Sequence, residues 1–76
     1  MGEPIELYTT VGCPFSEAAR EDLEWRAIDF VEFDVEKDQE ARRRMLELTG
    51  GTRTVPVIFE RGKPVQIGWM GRGCSV

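Results

Sequence analysis

The feature that constrains this chain most is a Gly-Cys-Pro sequence, Gly12 to Pro14, which separates two kinds of hydrophobic pattern. The apolar run before it, residues 5–8, predicts a short strand, whereas residues 15–26 have the spacing of a helix. Glycine allows a tight turn, and proline has the fixed backbone angle and missing N–H that suit the first helical position. Cys13 is therefore predicted to lie where the carboxyl end of a strand meets the amino end of a helix.

This position makes Cys13 a candidate reactive thiol. The first N–H groups of a helix have no intrahelical partners, and together with the helix dipole they stabilise an anion. A thiolate at Cys13 should be more populated than in free cysteine, and the thiolate is the nucleophilic form. The alternative is a small buried core residue, as many cysteines are. The glycine before Cys13 and the proline after it favour the reactive thiol.

Composition limits the classes of function. Seventy-six residues predict one domain, 1–76, near the lower limit for a self-sufficient hydrophobic core. A net charge of −4 argues against nucleic acid or an anionic membrane as a partner. Because Met1 lies just before the first strand and no apolar run is of membrane-spanning length, we expect a cytoplasmic protein. Two cysteines without a histidine cannot supply the usual zinc ligands, so no metal site is predicted.

The hydrophobic pattern predicts the element order βαβαββ. The predicted elements are a strand over 5–9, a helix over 14–25, a strand over 28–35, a helix to 49 after an N-cap at Asp38, and strands over 55–60 and 64–67. A strand, a helix and a strand in this length favour a parallel pair. Residues 60–63 predict a tight hairpin turn, and Gly50 with Gly51 should end the second helix.

Both predicted helices have an apolar face. In the first helix this face is mostly apolar and consists of Phe15, Ala18, Ala19, Asp22 and Leu23. In the second helix it consists of Ala41, Met45 and Leu48. We expect Trp25 to close the first helix against the sheet. Arginines 42–44 spread around the second helix and are predicted to pair with Glu40 and Glu47, the alternative being that one of them meets a substrate carboxylate.

Three motifs in this order resemble a glutaredoxin of the thioredoxin superfamily, of the monothiol C-P-F-S type. They are Cys13-Pro14-Phe15-Ser16 after a strand, Thr54-Val55-Pro56 before another, and Gly68 after a third. The resemblance covers nearly the whole chain and implies a thioredoxin-like α/β fold with a four-stranded mixed sheet. Residues 68–74 are more similar to a small prokaryotic glutaredoxin-like group whose members can carry selenocysteine at the position of Cys13.

The resemblance also predicts what is missing. Ordinary glutaredoxins continue into a third helix that covers one sheet face, and this chain stops at Val76. Apolar sheet surface should therefore be exposed unless the tail, with Trp69 and Met70, folds back or another chain covers it. We expect a monomer or a weak homodimer.

The resemblance assigns roles to the motif residues. Cys13 would be the nucleophile, and Pro56 would be a cis proline facing it. The Val55 backbone would then pair with an extended thiol peptide. The predicted substrate-binding set is Pro14, Phe15, Thr54, Val55, Pro56 and Gly68. The alternative for Pro56 is a trans proline at a sheet edge.

Two further residues complete the predicted site. Ser16 stands where many relatives have a second cysteine, so a C-x-x-C disulfide cannot form, and its hydroxyl would hydrogen-bond the Cys13 thiolate. Cys74 is a candidate resolving thiol. In the family topology strand four ends at the sheet edge of Cys13, about 10 Å away, and residues 68–74 can span up to ~20 Å. The alternative is an unpaired thiol on a frayed tail.

The expected function is that of a thiol–disulfide oxidoreductase of cell redox homeostasis and electron transport, acting on protein disulfides or glutathione mixed disulfides. Glutathione should bind weakly, because the lysine before the cysteine and the acidic pair after the final glycine are missing. Arg53 and Arg72 are candidates for replacement charge. Two alternatives stay open: a dimeric 2Fe–2S carrier held by Cys13 and glutathione, and a structural or adaptor module without turnover.

Overall fold

The fold is taken from a computed structural model that describes residues 4–76. Its elements are β1 (Ile5–Thr9), α1 (Pro14–Trp25), β2 (Phe30–Asp34), α2 (Gln39–Thr49), β3 (Thr54–Val55), β4 (Val57–Glu60), β5 (Lys63–Ile67) and β6 (Cys74–Ser75). The predicted βαβαββ order is present. The predicted third strand is divided into β3 and β4, and β6 is added at the end.

Four of the strands form a mixed sheet in the order β2-β1-β4-β5. β1 pairs with β2 in parallel, as the strand–helix–strand pattern predicted, whereas β4 is antiparallel to both β1 and β5. β3 and β6 form a separate antiparallel pair. The thioredoxin-like α/β fold with a four-stranded mixed sheet is therefore confirmed.

The sheet carries a hydrophobic cluster on each face because side chains alternate along β1. Leu7 is fully buried and packs with Ala19 and Leu23 of α1. Its neighbour Tyr8 is also fully buried but packs with Met45 of α2 on the opposite face. The two helices thus lie on opposite sides of the sheet, and β1, between them, runs directly toward Cys13.

The local start and stop signals act as their residue types predict. Asp38 caps α2, since its Oδ1 accepts a hydrogen bond from the Ala41 N–H at 3.0 Å. Gly50 ends that helix in the left-handed conformation, with φ +74°. In the β4–β5 hairpin, Arg61 and Gly62 both have positive φ, as a tight two-residue turn requires.

Several sequence predictions are wrong in detail. β2 covers Phe30–Asp34 rather than 28–35. Trp25 is 90% exposed and does not close α1 against the sheet. It lies two residues beyond the buried Leu23, which is more than half a turn around a helix of 3.6 residues per turn. Leu48 is 42% exposed because the buried stripe of α2 passes through Ala41 and Met45 and leaves Leu48 at its edge.

The arginines of α2 divide between solvent and sheet. Arg43 pairs with Glu40 and Glu47, as predicted. Arg44 instead points to the sheet, where it lies 3.6 Å from Glu6 and over the Phe33 ring. Over residues 4–76, no helix has the length and apolar character needed to cross a membrane.

Candidate active site

Cys13 lies at the junction that the sequence predicted. It is the N-cap residue of α1, with extended backbone angles, and Pro14 is the first helical residue. The Cys13 carbonyl accepts a hydrogen bond from the Glu17 N–H at 3.1 Å, which starts the helix. Gly12 makes the preceding turn with φ +82°. The residue is 1% exposed, so its sulfur lies beneath other parts of the chain.

Cys13 is bonded to Cys74 in a disulfide that joins residues 61 positions apart. The Cα atoms are 6.1 Å apart, within the range of ordinary disulfides. The tail therefore returns to the amino end of α1, and the expectation that Cys74 can reach Cys13 is confirmed. The frayed tail with an unpaired thiol is not what the structure contains.

The tail returns by way of a sharp turn after β5. Gly68 donates its N–H to the Pro56 carbonyl at 2.7 Å. Trp69 and Arg72 then exchange two backbone hydrogen bonds, of 2.5 and 2.9 Å, around Met70 and Gly71, which both have positive φ. Trp69 packs on the α1-side cluster, as predicted for the tail, whereas Met70 is 87% exposed, contrary to that prediction.

Beyond this turn the tail pairs with β3. Val55 lies opposite Cys74, and Thr54 lies opposite Ser75. The pairing is extended by the Val76 N–H, which donates to the Arg53 carbonyl at 2.8 Å. Sequence reasoning missed this strand because two residues are too few to show an alternating pattern.

Two glycines allow the close approach of the tail. A Cβ at Gly73 would lie 2.5 Å from Thr54 Cγ2 and 2.6 Å from the Val55 carbonyl oxygen. A Cβ at Gly68 would lie 2.8 Å from the Arg72 carbonyl oxygen, and Gly68 has φ +81°. Only glycine fits either position without displacing backbone. Glycine frequency in the tail was the signal available in the sequence.

Pro56 separates β3 from β4. The Val55–Pro56 peptide bond is cis, as the resemblance implied, so the trans alternative is wrong. Both residues are fully buried, and proline has no N–H to donate to a continuous strand. The predicted single strand over 55–60 is therefore two strands with different partners: β3 pairs with the tail and β4 with β1 and β5.

The remaining predicted site residues differ in their exposure to solvent. Ser16, in the first turn of α1, is fully buried, and its Oγ has no hydrogen-bond partner among residues 4–76. Pro14 is exposed and Phe15 is half-buried. Arg53 and Arg72, the candidates for binding a glutathione carboxylate, are both exposed.

A surface cavity lies away from the disulfide. It is an open groove of about 620 Å³ along the second half of α1. It is lined by Ala18, Glu21, Asp22, Glu24, Trp25 and Trp69. None of the predicted site residues lines it. The chemistry is therefore expected at the disulfide rather than in this groove.

The sequence of this chain is similar to those of known proteins. The sequence model of the glutaredoxin family matches residues 5–65. The chain is 40% identical over 55 residues to the probable glutaredoxin slr1562 of Synechocystis sp. and 38% identical over 55 residues to the probable glutaredoxin ssr2061 of the same organism. These matches cover 72% of this chain, but only 50% and 62% of the two relatives, so the chain spans about half the length of the first.

Solved structures show the same fold. The thioredoxin-like protein BC3987 is 34% identical, with a TM-score of 0.73 over 80% of this chain and 82% of that protein. The glutaredoxin of Archaeoglobus fulgidus is 23% identical, with a TM-score of 0.75 over 91% of this chain and 77% of that protein. The second likeness is one of fold alone.

Proposed function

The chain belongs to the glutaredoxin family, and on this premise we propose that it is a thiol–disulfide oxidoreductase with Cys13 as nucleophile and Cys74 as resolving thiol. The observation that carries the proposal is the bond between these two residues. It joins the amino end of α1 to a tail segment paired with β3. The relatives named above cover more sequence than this chain, so its activity is proposed from its own residues.

The proposed reaction has two exchange steps. The Cys13 thiolate attacks a substrate disulfide R–S–S–R′, forms a mixed disulfide with R–S, and releases R′–S⁻, which takes up a proton. The Cys74 thiolate then attacks the Cys13 sulfur, forms the Cys13–Cys74 disulfide, and releases R–S⁻. The substrate gains two electrons and the protein dithiol loses two. An external dithiol, or two glutathione molecules that become glutathione disulfide, returns the protein to the reduced state.

The position of Cys13 supports its role as nucleophile. Its sulfur is at the amino end of a twelve-residue helix, where free N–H groups and the helix dipole stabilise the thiolate and make it a good leaving group in the return step. The buried Ser16 hydroxyl has no hydrogen-bond partner in the part of the chain that the structure describes, where the disulfide is closed, and it is available to donate to that thiolate.

The substrate is proposed to bind along the segment that precedes Pro56. Val55 and Thr54 offer backbone groups in an extended conformation. Pro14 and Phe15 directly follow Cys13, and the Gly68 N–H donates to the Pro56 carbonyl. We expect disulfide-bearing proteins and glutathione mixed disulfides as substrates in the cytoplasm, with no role for nucleic acid or membrane. Glutathione itself is proposed as a weakly bound co-substrate, and the protein as a monomer or weak homodimer.

We also propose which group within the glutaredoxin family the chain resembles most in its motifs. The Cys13-Pro14-Phe15-Ser16 motif favours the monothiol type, with the second thiol moved to the tail. Residues 68–74 favour kinship with the small glutaredoxin-like group that includes selenocysteine proteins. The 2Fe–2S carrier alternative finds no support, because Cys13, the ligand that it requires, is bonded to Cys74.

Reduction of a glutathione–peptide mixed disulfide by three variants tests the proposal. Cys13→Ser should abolish turnover. Cys74→Ser should leave part of it and accumulate a mixed disulfide at Cys13, visible by mass spectrometry. The control is Cys74→Ser combined with Ser75→Cys, which keeps the number of thiols but moves one to the other side of β6, and it should behave like Cys74→Ser. Undiminished turnover by Cys13→Ser would overturn the proposal.

A further inference from the structure

The tail occupies the position that the proposed function gives to a substrate. Cys74 pairs with Val55 across an antiparallel ladder, and its sulfur is bonded to Cys13. We propose that the tail is an internal stand-in for the substrate peptide, and that the protein substrates present an extended Gly-Cys segment to β3. This inference rests on the proposed function and names its substrate class.

The backbone contacts define how such a segment binds. The tail makes its ladder contacts with Thr54 and Val55 and adds the hydrogen bond from the Val76 N–H to the Arg53 carbonyl. These bonds use main-chain groups only, so any extended peptide can form them in the same register. Such a peptide brings its cysteine to the position of Cys74, next to the Cys13 sulfur. Backbone pairing thus sets the register, and side-chain fit sets the preference.

The residue before the cysteine is where that preference is strict. At Gly73 a Cβ would be 2.5 Å from Thr54 Cγ2 and 2.6 Å from the Val55 carbonyl oxygen, closer than Cβ atoms of proteins approach. Val55 is fully buried, so its carbonyl cannot move away without disturbing the core. A peptide bound in this register meets the same two atoms. It therefore requires glycine immediately before its cysteine.

The residues after the cysteine are restricted less. Ser75 is exposed, so this position tolerates many side chains. Val76 packs against the cluster on the α2 face, which favours an apolar residue there. The tail thus describes a substrate segment with glycine, then cysteine, then any residue, then an apolar residue.

Tail and substrate cannot be bound together, because both need the same edge of β3. With the tail in place Cys13 is 1% exposed. Cys13 therefore attacks a substrate peptide only after β6 has left β3. The tail pairs with β3 again once the peptide, still bonded to Cys13, has given up its pairing with that strand. The Cys74 sulfur then attacks Cys13 and the peptide leaves as a thiol, in the second exchange step described above.

The test uses the reduced Cys74→Ser variant of the 76-residue chain and two peptides, Arg-Gly-Cys-Ser-Val and Arg-Ala-Cys-Ser-Val. Each peptide carries a nitrothiobenzoate group on its cysteine through a disulfide. Attack by the Cys13 thiolate on the peptide sulfur forms the Cys13–peptide disulfide and releases the yellow nitrothiobenzoate thiolate, whose absorbance gives the rate. The glycine peptide should react about ten-fold faster or more, since the methyl group of alanine has no space.

Two further measurements, one with the variant Thr54→Ser and one with a small disulfide, show whether the preference for glycine arises from the contact with β3. Thr54→Ser removes Cγ2, one of the two atoms that oppose a Cβ, and should narrow the preference for the glycine peptide. The symmetric disulfide of nitrothiobenzoate needs no peptide site and reports only whether Cys13 is a nucleophile. Equal rates for the two peptides, with the small disulfide reacting normally, would overturn this inference alone. Failure of the small disulfide to react with Cys13 would overturn the proposed function.

Discussion

The two cysteines of the disulfide are held in place in opposite ways. Cys13 is fixed by its nearest neighbours, since the turn at Gly12 and the first helical residue Pro14 set its backbone. Cys74 is fixed by residues far away in sequence, through a two-residue ladder with β3 and the close approach of Gly73. Cys13, the proposed nucleophile, is thus held by the turn and helix next to it, whereas Cys74, the proposed resolving thiol, lies on a segment held by few contacts. A segment of this kind can leave and return, as the proposed reaction requires.

The largest effect on stability is expected from reducing the disulfide that joins the two cysteines. Reduction of the disulfide, which joins residues 61 positions apart, should cost about 2–4 kcal/mol and lower the Tm by roughly 10–25 °C. Calorimetry of the oxidised and reduced protein measures the change. Cys74→Ser should melt like the reduced protein and should not respond to reductant. A difference of only a few degrees would mean that the tail is held equally well without the bond.

A second test disturbs only the tail side. Gly73→Ala places a methyl group against Thr54 Cγ2 and the Val55 carbonyl, and should destabilise the oxidised protein by about 1–3 kcal/mol. Denaturant unfolding measures this loss. The matched control is Ser75→Ala, at an exposed position two residues along, which should stay within about 0.5 kcal/mol of the parent protein. Equal stability of the two variants would show that Gly73 does not lie against β3.

A third test concerns Ser16, whose substitution should have different effects in the oxidised and in the reduced protein. Ser16 is fully buried and its Oγ lacks a partner among the described residues while the disulfide is closed. Ser16→Ala should therefore leave the oxidised protein unchanged or stabilise it by up to about 1 kcal/mol. In the reduced protein it should shift the alkylation of Cys13 by iodoacetamide to higher pH, because the thiolate loses a donor. An unchanged alkylation profile would remove Ser16 from the site.

The last test concerns β1, the strand that leads to Cys13, and its effect is confined to alkaline pH. Burial, followed by the charge of the nearby Glu6, raises the pKa of Tyr8 to about 12 from 10.0. Between these values the unfolded chain loses a phenolic proton that the folded protein keeps, so the free energy of unfolding falls as pH rises. Tyr8→Phe should remove this part of the alkaline loss. Tyr8 is the only tyrosine, so phenolate absorbance reports its ionisation directly. Ionisation near pH 10 would show that the side chain of Tyr8 is not buried as described.

The sequence by itself determined the features that depend on a few neighbouring residues. The turn at Gly12, the start of α1 at Pro14 and the cap at Asp38 follow from backbone angles and hydrogen-bonding groups that each residue type carries. The sheet order was also predictable once the motifs indicated the family, because the parallel β1–β2 unit and the β4–β5 hairpin leave few arrangements. These features define the half of the candidate site that contains Cys13.

Only the tertiary structure decided the other half. Whether Cys74 meets Cys13 depends on the pairing of β6 with β3, and two residues carry no pattern that predicts it. The need for glycine at position 73 arises from Thr54 and Val55, which approach it only in the folded chain. Trp25 likewise has an apolar side chain, but its place on the helix turns it to solvent. Contacts between distant residues depend on the register of the whole sheet, and the conformational preferences of single residues do not determine that register.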